Sequence, residues 1–144
     1  MKKTIKLILT LWITCGLFFI SGCDKSSPSP TEAERVATIL KKGSWKIVTV
    51  TIDNTLGNSY AGMTLSFTSS GYSATNGAPV WPASGTWTFT NDTAKVLKRD
   101  DGLEVTIEAI DDAGLVLSLS WSKTTLGKGR TQSISGKHVF VFIR

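Results

Sequence analysis

From Trp45 onward the chain alternates apolar and hydroxyl-bearing or charged residues with a period of two. Met63, Leu65 and Phe67 alternate with Thr64, Ser66 and Thr68, and Trp87 and Phe89 with Thr86, Thr88 and Thr90. Leu103, Val105, Ile107 and Ala109 alternate with Glu104, Thr106 and Glu108, while Leu115, Leu117, Leu119 and Trp121 face away from Ser118 and Ser120. Successive side chains of an extended chain point to opposite faces, so each run predicts a half-buried strand. Less regular runs at residues 45–52, 71–75, 94–99 and 137–143 bring the count to about eight.

Turn residues separate the runs. Asn91-Asp92, Asp100-Asp101-Gly102 and Asp111-Asp112-Ala113-Gly114 tolerate tight reversals, and short connections require antiparallel neighbours. Eight antiparallel strands suggest a closed barrel or a sandwich. Closure removes edge strands, so the expected fold is an all-β, up-and-down antiparallel barrel. Ahead of it, the period is helical. Thr31 and Glu34 have capping-box spacing, and Val36, Ile39 and Leu40 form one apolar stripe. Lys41 and Lys42 are expected to complement the dipole in the last turn, with Gly43 as the residue that ends the helix.

The first residues follow neither pattern. Met1 to Lys6 is a basic leader, Leu7 to Ile20 is almost continuously apolar, and the small residues Ser21 and Gly22 precede Cys23. This is the layout of a secretory signal. The apolar run of about 14 residues is shorter than the ~20 a membrane-spanning helix needs. Asp24 to Pro30 is polar and proline-bearing, an extended spacer reaching roughly 3 Å per residue. The organisation expected is a signal peptide over 1–22, Cys23 and linker over 23–30, and one domain over 31–144.

Composition sharpens this. Cys15 falls in the signal and Cys23 at its end, so the domain has no thiol and rests on a packed core alone. The net charge of +5 falls to +2 once Lys2, Lys3 and Lys6 leave with the signal. Beyond Lys41-Lys42 and Lys98-Arg99 there is no basic run, which excludes a nucleic-acid footprint.

Candidate chemistry is sparse. Trp81, in the proline-flanked loop 78–82, could stack on a sugar or cover a barrel mouth with Tyr60 from the loop 53–62; alternatively Val80 and Trp81 tuck into the barrel end as core. The aspartate pairs lack the spaced oxygen ligands of a metal loop and read as turns. His138 is the only histidine, assigned to an outward position on the last strand, and no serine sits in a Gly-x-Ser-x-Gly elbow. No catalytic residue, metal or cofactor is implied. Residues 122–136, with Lys123, Lys128, Arg130 and three glycines, read as a long, mildly basic loop.

Three stretches resemble known families. Ile20-Ser21-Gly22-Cys23 resembles the bacterial lipobox, which implies cleavage before Cys23 and lipidation of its thiol and new N-terminus. Gly43-Ser44-Trp45 resembles the Gly-x-Trp motif of lipocalins, in which the tryptophan closes one end of an eight-stranded barrel. The chain from Leu40 to about Phe142 is similar to lipocalin-like domains of small lipoproteins from Bacteroides-type bacteria, most specifically at residues 62–67, 75–87 and 99–102. That resemblance implies a barrel on an outer-membrane lipid anchor, with Arg144 or Arg130 as the closing arginine, and no settled ligand. Asp92-Thr93-Ala94 resembles the O-glycosylation sequon of such bacteria, at Thr93. The function expected is a membrane-anchored, non-enzymatic protein binding a small apolar ligand or glycan at the mouth. The alternative is a structural or inhibitory envelope protein with a fully packed barrel.

Overall fold

The computed structural model describes residues 29–57, 59–127 and 130–144, and no side chain of residues 125–133. The signal segment and Cys23 lie outside the described residues.

Helix α1 spans Glu32–Leu40. Thr31 is its N-cap: Thr31 Oγ1 accepts from the Glu34 amide at 3.2 Å, and Glu34 Oε2 accepts from the Thr31 amide at 2.8 Å. Two otherwise orphaned amides are thereby paired. Val36 and Leu40 are buried, with Ile39 packed beside them. The helix end differs from expectation. Lys41 is the right-handed C-cap, so neither lysine lies in the last turn, and Lys42 instead reaches Asp112 Oδ1 at 2.6 Å. Gly43 is not among the glycines with positive φ, and a Cβ there would meet Arg144 Cδ at an ordinary 3.7 Å. Neither turn nor crowding demands glycine at this position.

Eleven strands follow among the described residues: β1 (Ser44–Ile52), β2 (Thr55–Gly57), β3 (Thr64–Phe67), β4 (Gly71–Thr75), β5 (Ser84–Phe89), β6 (Val96–Arg99), β7 (Glu104–Ile110), β8 (Gly114–Trp121), β9 (Thr125–Gly127), β10 (Arg130–Ser133) and β11 (Gly136–Ile143). Eight of them, β1, β3 to β8 and β11, form an antiparallel up-and-down barrel, closed by β11 pairing with β1 from Lys46↔Ile143 to Ile52↔His138. Val48 is the extra residue of a bulge in β1 where it faces β11, and Glu108 is its counterpart in β7 facing β8. Bulges add the local bend that a closing sheet needs.

Two stretches expected as loops contain strands. In the 53–62 stretch, Asp53 and Asn54 both take positive φ, 47° and 65°, and return the chain as β2 beside β1. Such a two-residue turn matches the twist of a hairpin. The 122–136 stretch carries the small hairpin β9–β10, which stands apart from the barrel sheet.

The core fills the barrel. Trp45, Met63, Leu65, Trp81, Leu97, Leu115, Leu117, Phe140 and Phe142 are all essentially fully buried. An eight-stranded barrel is just wide enough for side chains of this size to fill it.

Candidate functional site

Each end of the barrel is closed by a tryptophan under an arginine. At the end that carries α1, Trp45 is fully buried and its Nε1 donates to the Leu40 carbonyl at 3.0 Å. The Arg144 guanidinium lies 4.3 Å from the Trp45 ring centre, and its Nη1 and Nη2 donate to the carbonyls of Asp112 and Ile39, each at 2.8 Å. Arg144, one of the two arginines singled out from sequence, thus lies against Trp45; the Arg130 side chain lies outside those described. Its two carbonyl acceptors, on α1 and on the β7–β8 turn, tie helix, turn and last strand together.

The opposite end is built by residues 76–83. Asn76, at φ 56°, turns the chain inward, and the Trp81 amide donates to the Gly77 carbonyl at 2.8 Å. A Cβ on Gly77 would lie 2.6 Å from Trp81 Cβ, so only glycine lets the loop fold this tightly over the ring. Trp81 is 1 % exposed and Tyr60 2 %. Neither is a platform at an open mouth: both rings lie inside, each edge-on to Phe140 at 6.3 Å and 5.2 Å. The proline-flanked loop thus folds as core, because Val80 and Trp81 have the barrel interior to enter.

Arg99 caps this end. It is 3 % exposed, 5.0 Å from the Trp81 ring centre and 5.7 Å from that of Tyr72. Its Nη1 donates to the Val80 carbonyl at 2.7 Å, and its Nε and Nη2 fork onto the two Asp101 oxygens. Burial pushes the Asp101 carboxyl up, but the Arg99 hydrogen bond and the Leu103 amide outweigh it and leave it below the usual range. The Asp100–Gly102 turn is thus more than a reversal, since its second aspartate anchors the arginine that pins Trp81. Sequence reasoning missed Arg99. The available signal was its phase: Arg99 falls two residues after buried Leu97 and opposite buried Trp87.

His138 corrects an expectation. It points inward and is fully buried, because β11 sends His138, Phe140 and Phe142 to the interior in one period-two series. Its ring stacks on Phe140 at 5.8 Å and meets Tyr60 edge-on at 6.0 Å. Nδ1 lies 3.2 Å from the Gly136 carbonyl, which can only accept, so Nδ1 carries the proton. Burial lowers the His138 pKa below its ordinary value, against smaller raising effects from that carbonyl and Asp53. Burial likewise raises the Tyr60 hydroxyl to about 12.

The outer wall carries polar and apolar concavities. A groove of about 500 Å³ runs over β7, β8 and β11, lined by Glu104, Glu108, Ser118, Ser120 and Lys137. Within it Ser118 Oγ donates to Glu108 Oε1 at 2.6 Å, and Lys137 Nζ lies 3.7 Å from the same oxygen. Two further grooves of about 370 and 390 Å³ flank β2, both lined by Leu56. Thr93 is exposed on the β5–β6 loop, its hydroxyl and amide both donating to Asn91 Oδ1. The Asp111 carboxylate accepts the amides of Ala113 and Gly114, each at 2.7 Å, which holds its pKa below the usual range. Among the described residues no three His, Cys, Asp or Glu side chains gather as a metal site.

Compared with protein-family models, curated proteins and solved structures, the chain matches none.

Proposed function

We propose that this chain is a lipid-anchored envelope protein whose barrel is a rigid, non-catalytic module that acts through its outer surface. The observation that carries the reading is the filled interior: Trp81 and Tyr60, the two aromatics best placed by sequence to meet a guest, both pack on Phe140, with buried Arg99 over Trp81. A ligand calyx needs a concavity of several hundred cubic ångströms with a few convergent polar groups. This supports the packed-barrel alternative over binding of a small apolar ligand or glycan at the mouth. The anchor rests on the Ile20–Cys23 sequence, with the outer membrane as its site by resemblance, and two or more acyl chains hold a protein on a bilayer where one does not. By sequence, Asp24 to Pro30 is a seven-residue polar spacer, a composition expected to extend at roughly 3 Å per residue. Exposed Thr93 is the position for an O-glycan.

Native and denaturing mass spectrometry of the chain purified from its host's membranes tests this. The expected species begins at Cys23, carries diacylglycerol and an N-acyl chain, and holds no stoichiometric small-molecule guest; any glycan maps to Thr93. A chain retaining residues 1–22 without lipid removes the anchor. A guest retained one-to-one on the native barrel and lost on unfolding removes the packed-barrel reading.

A further inference from the structure

The barrel interior is filled, yet its polar atoms are not all paired. Tyr60 Oη, Tyr72 Oη, Trp81 Nε1 and His138 Nε2 are buried and have no hydrogen-bond partner among the described residues. All four belong to one aromatic cluster. Tyr60 and Trp81 meet Phe140 edge-on, His138 stacks on it, and Tyr72 is edge-on to Trp81. Folded proteins leave few buried polar atoms unpaired, because each has given up a bond to water for nothing in return. Several in one cluster point to a partner that the surrounding side chains do not supply.

Tyr60 and His138 define that partner most closely. Their rings meet edge-on with centres 6.0 Å apart, Tyr60 is 2 % exposed and His138 fully buried. With its proton on Nδ1, facing the Gly136 carbonyl, His138 offers only a lone pair at Nε2. The Tyr60 hydroxyl can both donate and accept. A group serving both must therefore donate to nitrogen and bond a phenol. It must also be uncharged, since an unpaired buried ion is far costlier than a neutral polar group. The neighbouring charges are already committed: Arg99 to Val80 and Asp101, and Asp53 to the Lys137 amide. Packed rings on every side require it to be small. Water meets all of these conditions, occupying only roughly 30 Å³ with two donors and two acceptors. Tyr60 also lines the groove of about 370 Å³ beside β2, which brings solvent to the other side of its ring.

We infer that an ordered water is held inside the barrel between Tyr60 Oη and His138 Nε2, donating to the imidazole nitrogen and bonding the phenol. It ties the 53–62 stretch to β11 from within, as the Asp53 carboxylate does at the Lys137 amide. It also keeps the His138 proton on Nδ1. A single water leaves the packed-barrel reading intact, and the inference stands without the lipid anchor.

Urea unfolding of the full chain in detergent, with a crystal structure of the same material, tests it. Tyr60→Phe keeps the ring on Phe140 and removes only the hydroxyl. Loss of a watered hydroxyl should lower the urea midpoint, whereas loss of an unpaired one would raise it. His138→Phe should also lower the midpoint, and the double variant should lose less than the two single losses added, because both residues share one water. In the crystal an isolated oxygen should lie within about 3.2 Å of both atoms. A raised midpoint for Tyr60→Phe overturns the inference, as do additive losses. So does a crystal structure in which Tyr60 Oη, another protein atom or a larger guest bonds Nε2 directly.

Discussion

Replacing Arg99 with alanine should be among the most damaging single changes in the domain, although the side chain touches no ligand. Its guanidinium donates to the Val80 carbonyl at 2.7 Å, where Val80 is itself fully buried. Losing that donor leaves a buried acceptor unpaired, at about 1–3 kcal/mol. Arg99 also lies over two aromatic rings, Trp81 and Tyr72, and desolvated contacts of this kind contribute about 0.5–2 kcal/mol. Asp101 is 42 % exposed but the Arg99 side chain only 1 %, so removing Asp101 leaves two donors of a buried guanidinium unpaired, at about 1–3 kcal/mol.

The expected loss for Arg99→Ala is therefore about 3 kcal/mol, with Asp101→Ala smaller, at about 1–2 kcal/mol. Urea unfolding followed by tryptophan fluorescence measures both. With a slope near 1.5 kcal/mol per molar, Arg99→Ala moves the midpoint down by about 2 M without changing the slope. Arg99→Lys should recover less than half of the loss, since an ammonium keeps the charge but not the planar fork or the stacking. The reasoning fails if Arg99→Ala costs under about 1 kcal/mol, or if Asp101→Ala costs as much as Arg99→Ala.

Arg144→Ala removes two carbonyl bonds and the cover of Trp45 at the other end. It should cost about 1–3 kcal/mol and raise amide exchange first at the end of α1 and in the 111–113 turn, as hydrogen-exchange mass spectrometry would show; uniform exchange across the barrel would contradict the local latch. His138 gives a pH signature. Its folded pKa lies below the unfolded value near 6.5, so its contribution is complete above that pH and is lost as pH falls through the folded value. In an NMR titration the His138 ring should remain neutral, with the proton on Nδ1, at a pH where a free histidine is half-charged; a normal titration would place the ring in solvent.

Much of the fold was legible because a single rule governs it. Period-two alternation marks a half-buried strand, and the runs at residues 63–68, 86–90, 103–109 and 115–121 coincide with β3, β5, β7 and β8. Closure was inferred from turn length and the cost of edges, and β11 against β1 supplies it. What escaped were residues whose identity contradicts their phase. His138 and Arg99 occupy inward positions of their strands, but polarity argued for solvent; Arg99 is paired there by Val80 and Asp101, whereas His138 has the Gly136 carbonyl at Nδ1 and no partner at buried Nε2 among the described residues. Trp81 posed the opposite problem. Proline flanks suggested an exposed loop, whereas the glycine at 77 permits the fold-over that buries it. β2 was invisible because three residues carry no period.

Closure by β11 on β1 also sets the order in which this molecule can be made. Along β1, Lys46 pairs with Ile143 and Ile52 with His138, whereas every other junction of the barrel joins strands close in sequence. Hairpins such as β7–β8 close short loops and can form early, but the seam must bring together strands from opposite ends of the domain before it gains anything. Until then β1 and β11 are both unpaired edges. The growing domain is accordingly a curled ribbon with two adhesive borders, and its vulnerable period ends with the arrival of its last strand.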